Sequence, residues 1–227
     1  MQSLTEQFVK EAEKRILTGE WAIGMKVPPL RTLAEEFNVS RSVINAAIAE
    51  LCNNGFLLTV PRKYIIVADW RQSGNFAVLQ GLIENGLSDI NFYKNIFEGR
   101  MTIEKAIVYS AARERTDEDI RLLNNVIAEE EKASSPAEMA EGDMRFHHAL
   151  SVASHNLVYT IILNSFNKIA SKLTYDYYEK LNDNGEVVEA HKFITSSLVE
   201  KNADLAVDRL CDLLSKGEKE ILNNIKL

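Results

Sequence analysis

The chain has 227 residues, of which 46% are hydrophobic and 26% are charged. This composition is typical of a soluble globular protein, and the length suits one large domain or two small ones. No apolar run reaches the roughly 18 residues that a membrane-spanning helix needs, and the polar N-terminus lacks the pattern of a signal peptide. Cys52 and Cys211 are far apart and lack metal-type spacing, which favours a reducing cytoplasm, and the lack of a long apolar run predicts that the protein has no membrane partner.

The net charge of −7 is unevenly distributed along the chain. Residues 1–70 carry eight basic and eight acidic side chains, so the excess of negative charge lies entirely in the rest of the chain. A neutral segment can bind DNA when its cations cluster on one face. The acidic remainder is unsuited to a nucleic-acid surface.

Three short helices are predicted near the N-terminus. Ser3 and Glu6 have the spacing of a capping box, and the helix that they start should end near Gly19. After a pair of prolines, apolar residues at i, i+3, i+4 and i+7 predict a second helix from Leu30. Ser40 is placed to cap a third helix with the same apolar spacing.

Two β-rich runs follow, at residues 56–60 and 64–67, and predict a hairpin. Three helices and a hairpin are the order of a winged helix-turn-helix, which we assign to residues 1–69. From residue 70 to residue 227 the patterns are helical and predict an all-helical bundle of about seven helices. The expected fold is therefore mainly α, in two domains.

The third helix has the pattern of a DNA-recognition helix. Its large apolar residues share one face, which leaves Arg41 and Asn45 on the other, where arginine can bond guanine and asparagine can bond adenine. Serine hydroxyls and arginines suit phosphate contacts, and basic residues at the hairpin tip suit a wing on DNA. The spacing alone also fits a small helical domain with ordinary surface polar residues. The predicted DNA-binding residues are Arg31, Ser40, Arg41, Ser42, Asn45, Arg62 and Lys63.

These motifs resemble a known family. The segment VPPLRTLAEEFNVSRSVINAAIAELCNNGFL is similar to the DNA-binding motif of the GntR family of regulators. The runs FEGRMTIEKAIVYSAARERTDEDI and GDMRFHHALSVASHN resemble the all-helical effector-binding FCD domain of its fatty-acid-responsive (FadR) branch. The resemblance implies a homodimer that binds a pseudo-palindromic operator in double-stranded DNA under the control of a small-molecule effector. It favours a repressor, although repression or activation depends on where the operator lies.

The chain departs from the family pattern at two of its predicted DNA contacts. The family usually has arginine where this chain has Asn45, so its operator should differ from the commonest one. The family wing often carries a glycine-rich tip, whereas residues 61–63 contain no glycine. Insertion of this wing into the minor groove is therefore in doubt.

A divalent metal site is a further expectation. Asp143 and His147 stand at i, i+4 on one helix face, where a carboxylate and an imidazole can reach one metal ion. The resemblance implies an aspartate and three histidines around Zn or a related metal, and Asp143, His147 and His191 match the first three positions. The fourth falls near Leu213, and the adjacent Asp212 should point about 100° away. A three-ligand metal site and a plain Asp–His hydrogen bond both remain open.

Arg100 and Tyr175 are the predicted effector contacts. Arg100 lies in an apolar helix, where it would either bind an anionic effector or pair with Glu104 on the next turn. Tyr175 belongs to a tyrosine cluster that would either line a cavity or pack in the core. The effector could be an acyl-CoA, a small carboxylate or an amino acid.

Other functions fit the sequence less well. It contains no metalloprotease, nucleophile-elbow or phosphate-loop motif, so we expect no enzyme. The alternatives are a metal-binding helical enzyme with an accessory helix-turn-helix and an interaction module that has lost DNA binding. His148 and His155 are expected to be surface or packing residues.

Overall fold

A computed structural model describes residues 3–61, 63–181 and 184–224. The chain divides into two compact units, Met1–Ser88 and Asp89–Leu227. Among the described residues there are eleven helices and one two-stranded sheet, which confirms the mainly α fold.

The first unit begins with three helices, as predicted. The helix α1 starts at a capping box, in which Ser3 accepts from the backbone of Glu6 and the Glu6 carboxylate accepts from the backbone of Ser3. It ends before Gly19, whose φ of 84° lies in the left-handed region. The helix α3 is capped by the Ser40 hydroxyl, which accepts from the backbone of Val43. The helices are α1 (Leu4–Leu17), α2 (Leu30–Glu36) and α3 (Arg41–Asn53).

The predicted hairpin follows as β1 (Leu57–Val60) and β2 (Tyr64–Val67), which pair antiparallel with Leu57 opposite Val67 and Val60 opposite Tyr64. Lys26, from the loop before α2, forms an isolated antiparallel bridge with Ile66. The wing therefore has a third extended segment beside β2.

The first unit continues beyond the expected boundary at residue 69. It includes α4 (Trp70–Ser73) and α5 (Phe76–Glu84). Trp70, Val78 and Leu82 pack against the core that the first three helices and the wing enclose. At Gly55 a Cβ would lie 2.1 Å from the carbonyl oxygen of Ser73, so this close approach requires glycine. Burial of apolar surface thus keeps these two helices with the N-terminal unit.

The second unit contains six helices in its described part: α6 (Ile90–Glu114), α7 (Asp117–Glu130), α8 (Pro136–Ala153), α9 (Leu157–Lys180), α10 (Gly185–Val199) and α11 (Ala203–Asn224). With α4 and α5, residues 70–227 hold eight described helices where about seven were expected. Capping boxes start α7 at Thr116 and α8 at Ser135, the latter with Pro136 at the first helical position.

The core of the second unit lies around α8, which packs against α6, α7 and α9. Phe146 and Leu150 of α8 are buried there with Ile107 of α6, Leu163 of α9 and Ile194 of α10. This packing brings one face each of α6, α8 and α10 together.

No helix in the described part of the chain is long and apolar enough to cross a membrane.

Candidate DNA-recognition face and effector cavity

The helix α3 separates a buried face from an exposed polar face. Ile44, Ala47, Ile48 and Leu51 are buried, whereas Arg41, Ser42 and Asn45 are exposed. The exposed residues lie in the first turns of the helix, where a recognition helix contacts base edges. The structure therefore leaves the predicted base-contacting side chains accessible.

The remaining predicted DNA contacts differ in whether their side chains already have partners within the protein. The Ser40 hydroxyl is the helix cap and lies 2.7 Å from the Ser42 hydroxyl. Arg31 is exposed and pairs with Glu35 at 2.8 Å, an ion pair that DNA phosphate would have to replace. Lys63 is exposed, and Arg62 lies outside the described residues.

Two residues of the wing surface, Lys26 and Tyr64, were not predicted from the sequence. Lys26 Nζ lies 4.4 Å from the centroid of the Tyr64 ring, within the range of a cation–π contact. Tyr64 is 40% exposed. Lys26 lies beside the wing because it bridges to Ile66, forty residues away in sequence, and no local pattern indicates that pairing.

In the second unit the structure brings Asp143, His147 and His191 together. Asp143 Oδ1 lies 3.8 Å from His147 Nε2 and 3.7 Å from His191 Nε2. Donor atoms around a tetrahedral Zn with ligand distances of about 2.0–2.1 Å are roughly 3.4 Å apart, so a small contraction would suit the ion. His191 Nε2 is buried and has no hydrogen-bond partner among the described residues. These observations fit a divalent metal held by the three side chains.

Two buried glutamates orient the histidines. His147 Nδ1 contacts Glu104 of α6, and His191 Nδ1 lies 2.9 Å from Glu130 Oε2 of α7. For His191, the carboxylate at Nδ1 holds the proton there and leaves the Nε2 lone pair for a metal, whereas His147 Nδ1 makes an ion-pair contact with Glu104 without a hydrogen bond of normal geometry among the described residues. The His191 ring also stacks on Phe146, with centroids 3.7 Å apart. Neither carboxylate was among the predicted site residues, and the contact of Glu130 with His191 has no local sequence signal.

Gly142 gives Glu130 the space that this contact needs. A Cβ at position 142 would lie 2.7 Å from Glu130 Cγ, which is too close for two carbon atoms. Glycine at position 142 therefore leaves room for the Glu130 side chain.

Charges around the site determine the pKa of the buried Glu104. Burial alone would raise the pKa of Glu104, but the charges of Arg100 and His147 outweigh it and lower the pKa to about 2. Burial opposes the protonation of His147, and the Glu104 carboxylate outweighs this effect and raises the pKa of His147. Glu104 is thus an anion that ties Arg100 to His147.

A small cavity opens beside the three candidate ligands. Its volume is about 50 Å³, and Arg100, Asp143, His147, Tyr177 and Tyr178 are part of its lining. Arg100 pairs through Nε with Glu104, which is the ion pair that the sequence allowed. The same side chain also lines the cavity, as the binding of an anionic effector would require.

The predicted effector contact Tyr175 lies outside this cavity, and a leucine occupies the position of the expected fourth metal ligand. Tyr175 is 41% exposed and is not among the residues that line it, because its neighbours Tyr177 and Tyr178 occupy the inner face of α9. Burial raises the pKa of Tyr177 to about 12, so its hydroxyl stays protonated. Leu213 lines the cavity at the position of the expected fourth ligand, whereas Asp212 lines a neighbouring one.

The other two histidines lie apart from this centre. His155 pairs with Asp119 at 2.8 Å near the start of α7. His148 Nδ1 lies 3.1 Å from the Asn164 side-chain oxygen. Both positions match the surface or packing roles expected from the sequence.

Comparison with known proteins finds two family models that match successive parts of the chain. The model of bacterial regulatory proteins, gntR family, matches residues 4–67, and the FCD domain model matches residues 95–216. Among solved structures, Streptococcus agalactiae GntR is 23% identical with a TM-score of 0.52 and covers 95% of this chain and 99% of its own. Lar of Listeria monocytogenes is 17% identical with a TM-score of 0.67 and covers 99% of each chain. These similarities support the fold.

Several curated proteins are also similar. The uncharacterized regulator YisV of Bacillus subtilis (strain 168) is 52% identical over 52 residues, which are 23% of this chain and 10% of that protein. A regulatory protein of Escherichia coli (strain K12) ascribed to an L-lactate dehydrogenase operon is 30% identical over 145 residues, 63% of this chain and 55% of that protein. The chain thus spans a tenth to about half of these relatives.

A third relative is matched over most of its length. The fatty acid metabolism regulator protein of Shewanella pealeana (strain ATCC 700345 / ANG-SQ1) is 23% identical over 198 residues, 84% of this chain and 81% of that protein. These relatives are regulators and not enzymes. Because the FCD model covers more than half of the sequence and the gntR model covers the first unit up to the wing, the chain belongs to the GntR family of bacterial regulatory proteins, with an FCD domain.

Proposed function

We propose that this protein is a DNA-binding transcriptional regulator whose affinity for its operator responds to a small carboxylate bound in the second unit. The observation that carries the DNA-binding part is the exposed polar face at the start of α3, opposite a fully buried apolar face. Membership of the GntR family supports it.

Specific bases are contacted by Arg41 and Asn45 at the start of α3, each with about 1–3 kcal/mol of discrimination. Phosphates are contacted by Arg31, Ser40 and Ser42 around the helix-turn-helix. On the wing, Arg62 and Lys63 supply positive charge, and Lys26 adds to it.

We expect a homodimer that binds a pseudo-palindrome, because the first unit is small. A single helix-turn-helix makes few base contacts, and two copies related by a twofold axis double them. We expect the dimer to act as a repressor in the cytoplasm, released from or fixed on DNA by its effector.

The effector binds through its carboxylate in the small cavity beside Arg100. Asp143, His147 and His191 hold a divalent metal there, with Glu104 and Glu130 fixing the two imidazoles. A bound metal would supply a Lewis-acidic position for a carboxylate oxygen. Arg100 adds a cation that is already neutralised in part by Glu104, which suits reversible binding of an anion. One relative is named for an L-lactate dehydrogenase operon and another for fatty acid metabolism. Lactate and fatty acids both carry a carboxylate, so these names support a carboxylate effector.

The experiment replaces two basic residues of the protein in turn and measures binding to an operator selected from random DNA. Arg41→Ala should weaken specific binding by about 1–3 kcal/mol and relax one base position, as measured by fluorescence anisotropy. Lys63→Ala should weaken binding to all sequences alike and reduce the dependence on salt. Arg113→Ala, an exposed arginine of the second unit, is the control. Wild-type affinity in the Arg41→Ala variant would show that α3 is not the recognition helix.

A further inference from the structure

The first unit contains a cavity among α1, α3 and α5, away from the exposed start of α3. Its volume is about 150 Å³, and a cavity of roughly this volume holds a molecule the size of benzene, with about six heavy atoms. Apolar groups of Val9, Ala77 and Gly81 form part of the wall. The charged residues of the lining are Glu6, Lys10, Glu13, Glu50 and Glu84.

Glu13 of α1 is the buried carboxylic acid of this lining. Only 8% of its surface is exposed, yet it makes no hydrogen bond and no ion pair within the described part of the chain. A Cβ at Gly81, which also lines the cavity, would lie 3.6 Å from Glu13 Oε2. Glu84 of α5 and Glu50 of α3 act electrostatically on the same carboxyl group. The Glu13 carboxyl group therefore points into the cavity and has no partner there.

The cavity holds more negative charge than its own cation neutralises. Among the described residues of the lining, the cation is Lys10, and its Nζ lies 2.9 Å from Glu84 Oε2. The charge of Lys10 has a smaller effect on Glu13 than burial and the two neighbouring glutamates have. The carboxylates of Glu13 and Glu50 are thus left with each other's repulsion, which a positively charged ligand would relieve.

The spacing of these carboxylates favours an ammonium group over a metal ion. Of the described residues, those whose donor atoms lie within 4.8 Å of one another, as one metal ion requires, are Asp143, His147 and His191 of the second unit. The glutamates of this cavity are therefore too far apart to ligate one metal ion together. An ammonium group has three N–H donors that point in different directions, so it can bond to carboxylates on separate helices.

We propose that this cavity binds a small primary alkylammonium ion, with its ammonium group at Glu13 and Glu50 and its alkyl chain against Val9 and Ala77. A chain of about four carbons keeps the ligand within the size that the cavity allows. Such a ligand contacts α1, α3 and α5 at once, so its binding stabilises the packing of α5 on the helix-turn-helix. The site lies within the first unit and does not depend on an effector in the second.

The test uses three molecules of equal size that differ in charge and in hydrogen-bond donors. n-Butylammonium, 1-butanol and tetramethylammonium have the same number of heavy atoms, and only the first combines a positive charge with N–H donors. Dissociation constants are measured for the full-length protein by NMR chemical-shift titration, in an amine-free buffer at constant ionic strength. We expect n-butylammonium to bind about ten- to a hundredfold more tightly than 1-butanol, the gain of one charge-assisted hydrogen bond. It should bind at least about fivefold more tightly than tetramethylammonium, which has no donor.

Variants assign the binding to the buried carboxyl group. Glu13→Gln should reduce the affinity for n-butylammonium at least about tenfold, and Glu50→Gln should reduce it about threefold or more. Glu20→Gln makes the same substitution at an exposed position outside the cavity and should change nothing.

The dependence on pH gives a second readout of the same group. The pKa of Glu13 is raised to about 7, whereas n-butylammonium, like a lysine side chain, keeps its charge from pH 6 to pH 8. Wild-type affinity should therefore rise about five- to tenfold over this range as Glu13 ionises, and the rise should be absent in Glu13→Gln.

A preference for n-butylammonium that Glu13→Gln loses and Glu20→Gln keeps would support the site. The proposal is overturned if n-butylammonium shows no saturable binding, if it binds no more tightly than 1-butanol, or if Glu13→Gln binds it as well as wild type does. Displacement of n-butylammonium by an equal concentration of magnesium ion would also overturn it, because the cavity would then be a metal site.

Discussion

Ionisation of Glu13 in α1 should govern how the stability of the first unit depends on pH. Glu13 is 8% exposed and lines a cavity with Glu50 of α3 and Glu84 of α5. Burial, reinforced by the negative charges of Glu84 and Glu50, raises the pKa of Glu13 from 4.5 to about 7. The folded protein therefore holds a proton on this carboxyl at pH values where the unfolded chain has released it.

The direction of the effect follows from proton linkage. Below about pH 4.5 the carboxyl is neutral in both states and costs no stability, and as the pH rises to about 7 the stability falls, because ionisation is easier in the unfolded chain. A pKa displaced from 4.5 to about 7 corresponds to at most about 3 kcal/mol. Solvent in the cavity screens these charges and reduces this cost, so we expect roughly 1–3 kcal/mol.

The variant Glu13→Gln removes the ionisable group and nearly preserves its shape. Urea denaturation is followed by tryptophan fluorescence, which reports the first unit because both tryptophans, Trp21 and Trp70, belong to it. At pH 8 the variant should be more stable than wild type by roughly 1–3 kcal/mol, and at pH 5 by less than half as much. Glu20→Gln, at an exposed position, should change stability by less than about 0.5 kcal/mol at both pH values. Equal stability of wild type and Glu13→Gln at pH 8 would refute the reasoning.

Three further outcomes are expected. Elemental analysis of protein purified without a chelating tag should find about one metal per chain and almost none in His147→Ala; substoichiometric metal in both would reject the metal site. Gly142→Ala should displace Glu130 and lower the metal affinity about 10–100-fold, whereas Gly217→Ala, where a Cβ meets nothing within 4 Å, should not; equal affinities would remove the orienting role of Glu130. Sedimentation at micromolar concentration should show a dimer, and a species of 25.6 kDa alone, with and without DNA, would exclude one.

Features set by neighbours along the chain were predictable from the sequence. The capping box at Ser3 depends on a residue three positions away, and so does the box at Ser135. The pairing of Asp143 and His147 follows from one turn of helix, and the exposed face of α3 follows from its apolar spacing. For such features, sequence distance and spatial distance are nearly the same.

Features set by tertiary packing were not predictable. His191 joined the site on resemblance alone, and its partner Glu130 lies 61 residues away on another helix. The choice among Tyr175, Tyr177 and Tyr178 depends on how α9 is rotated in the bundle, which an aromatic cluster does not reveal. The compact first unit extends beyond residue 69 because α5 buries Val78 in the N-terminal core, a contact that composition does not indicate.

The most direct test of DNA recognition by α3 is a selection of binding sites from random double-stranded DNA by the full-length protein. The expected result is enrichment of one sequence with twofold symmetry, whose half-sites are separated by about one helical turn or a multiple of it. The selected sequence should bind at least about a thousandfold more tightly than random DNA at physiological salt. Selection that enriches no sequence, or enriches the same sequence with Arg41→Ala and Asn45→Ala, would contradict recognition by α3.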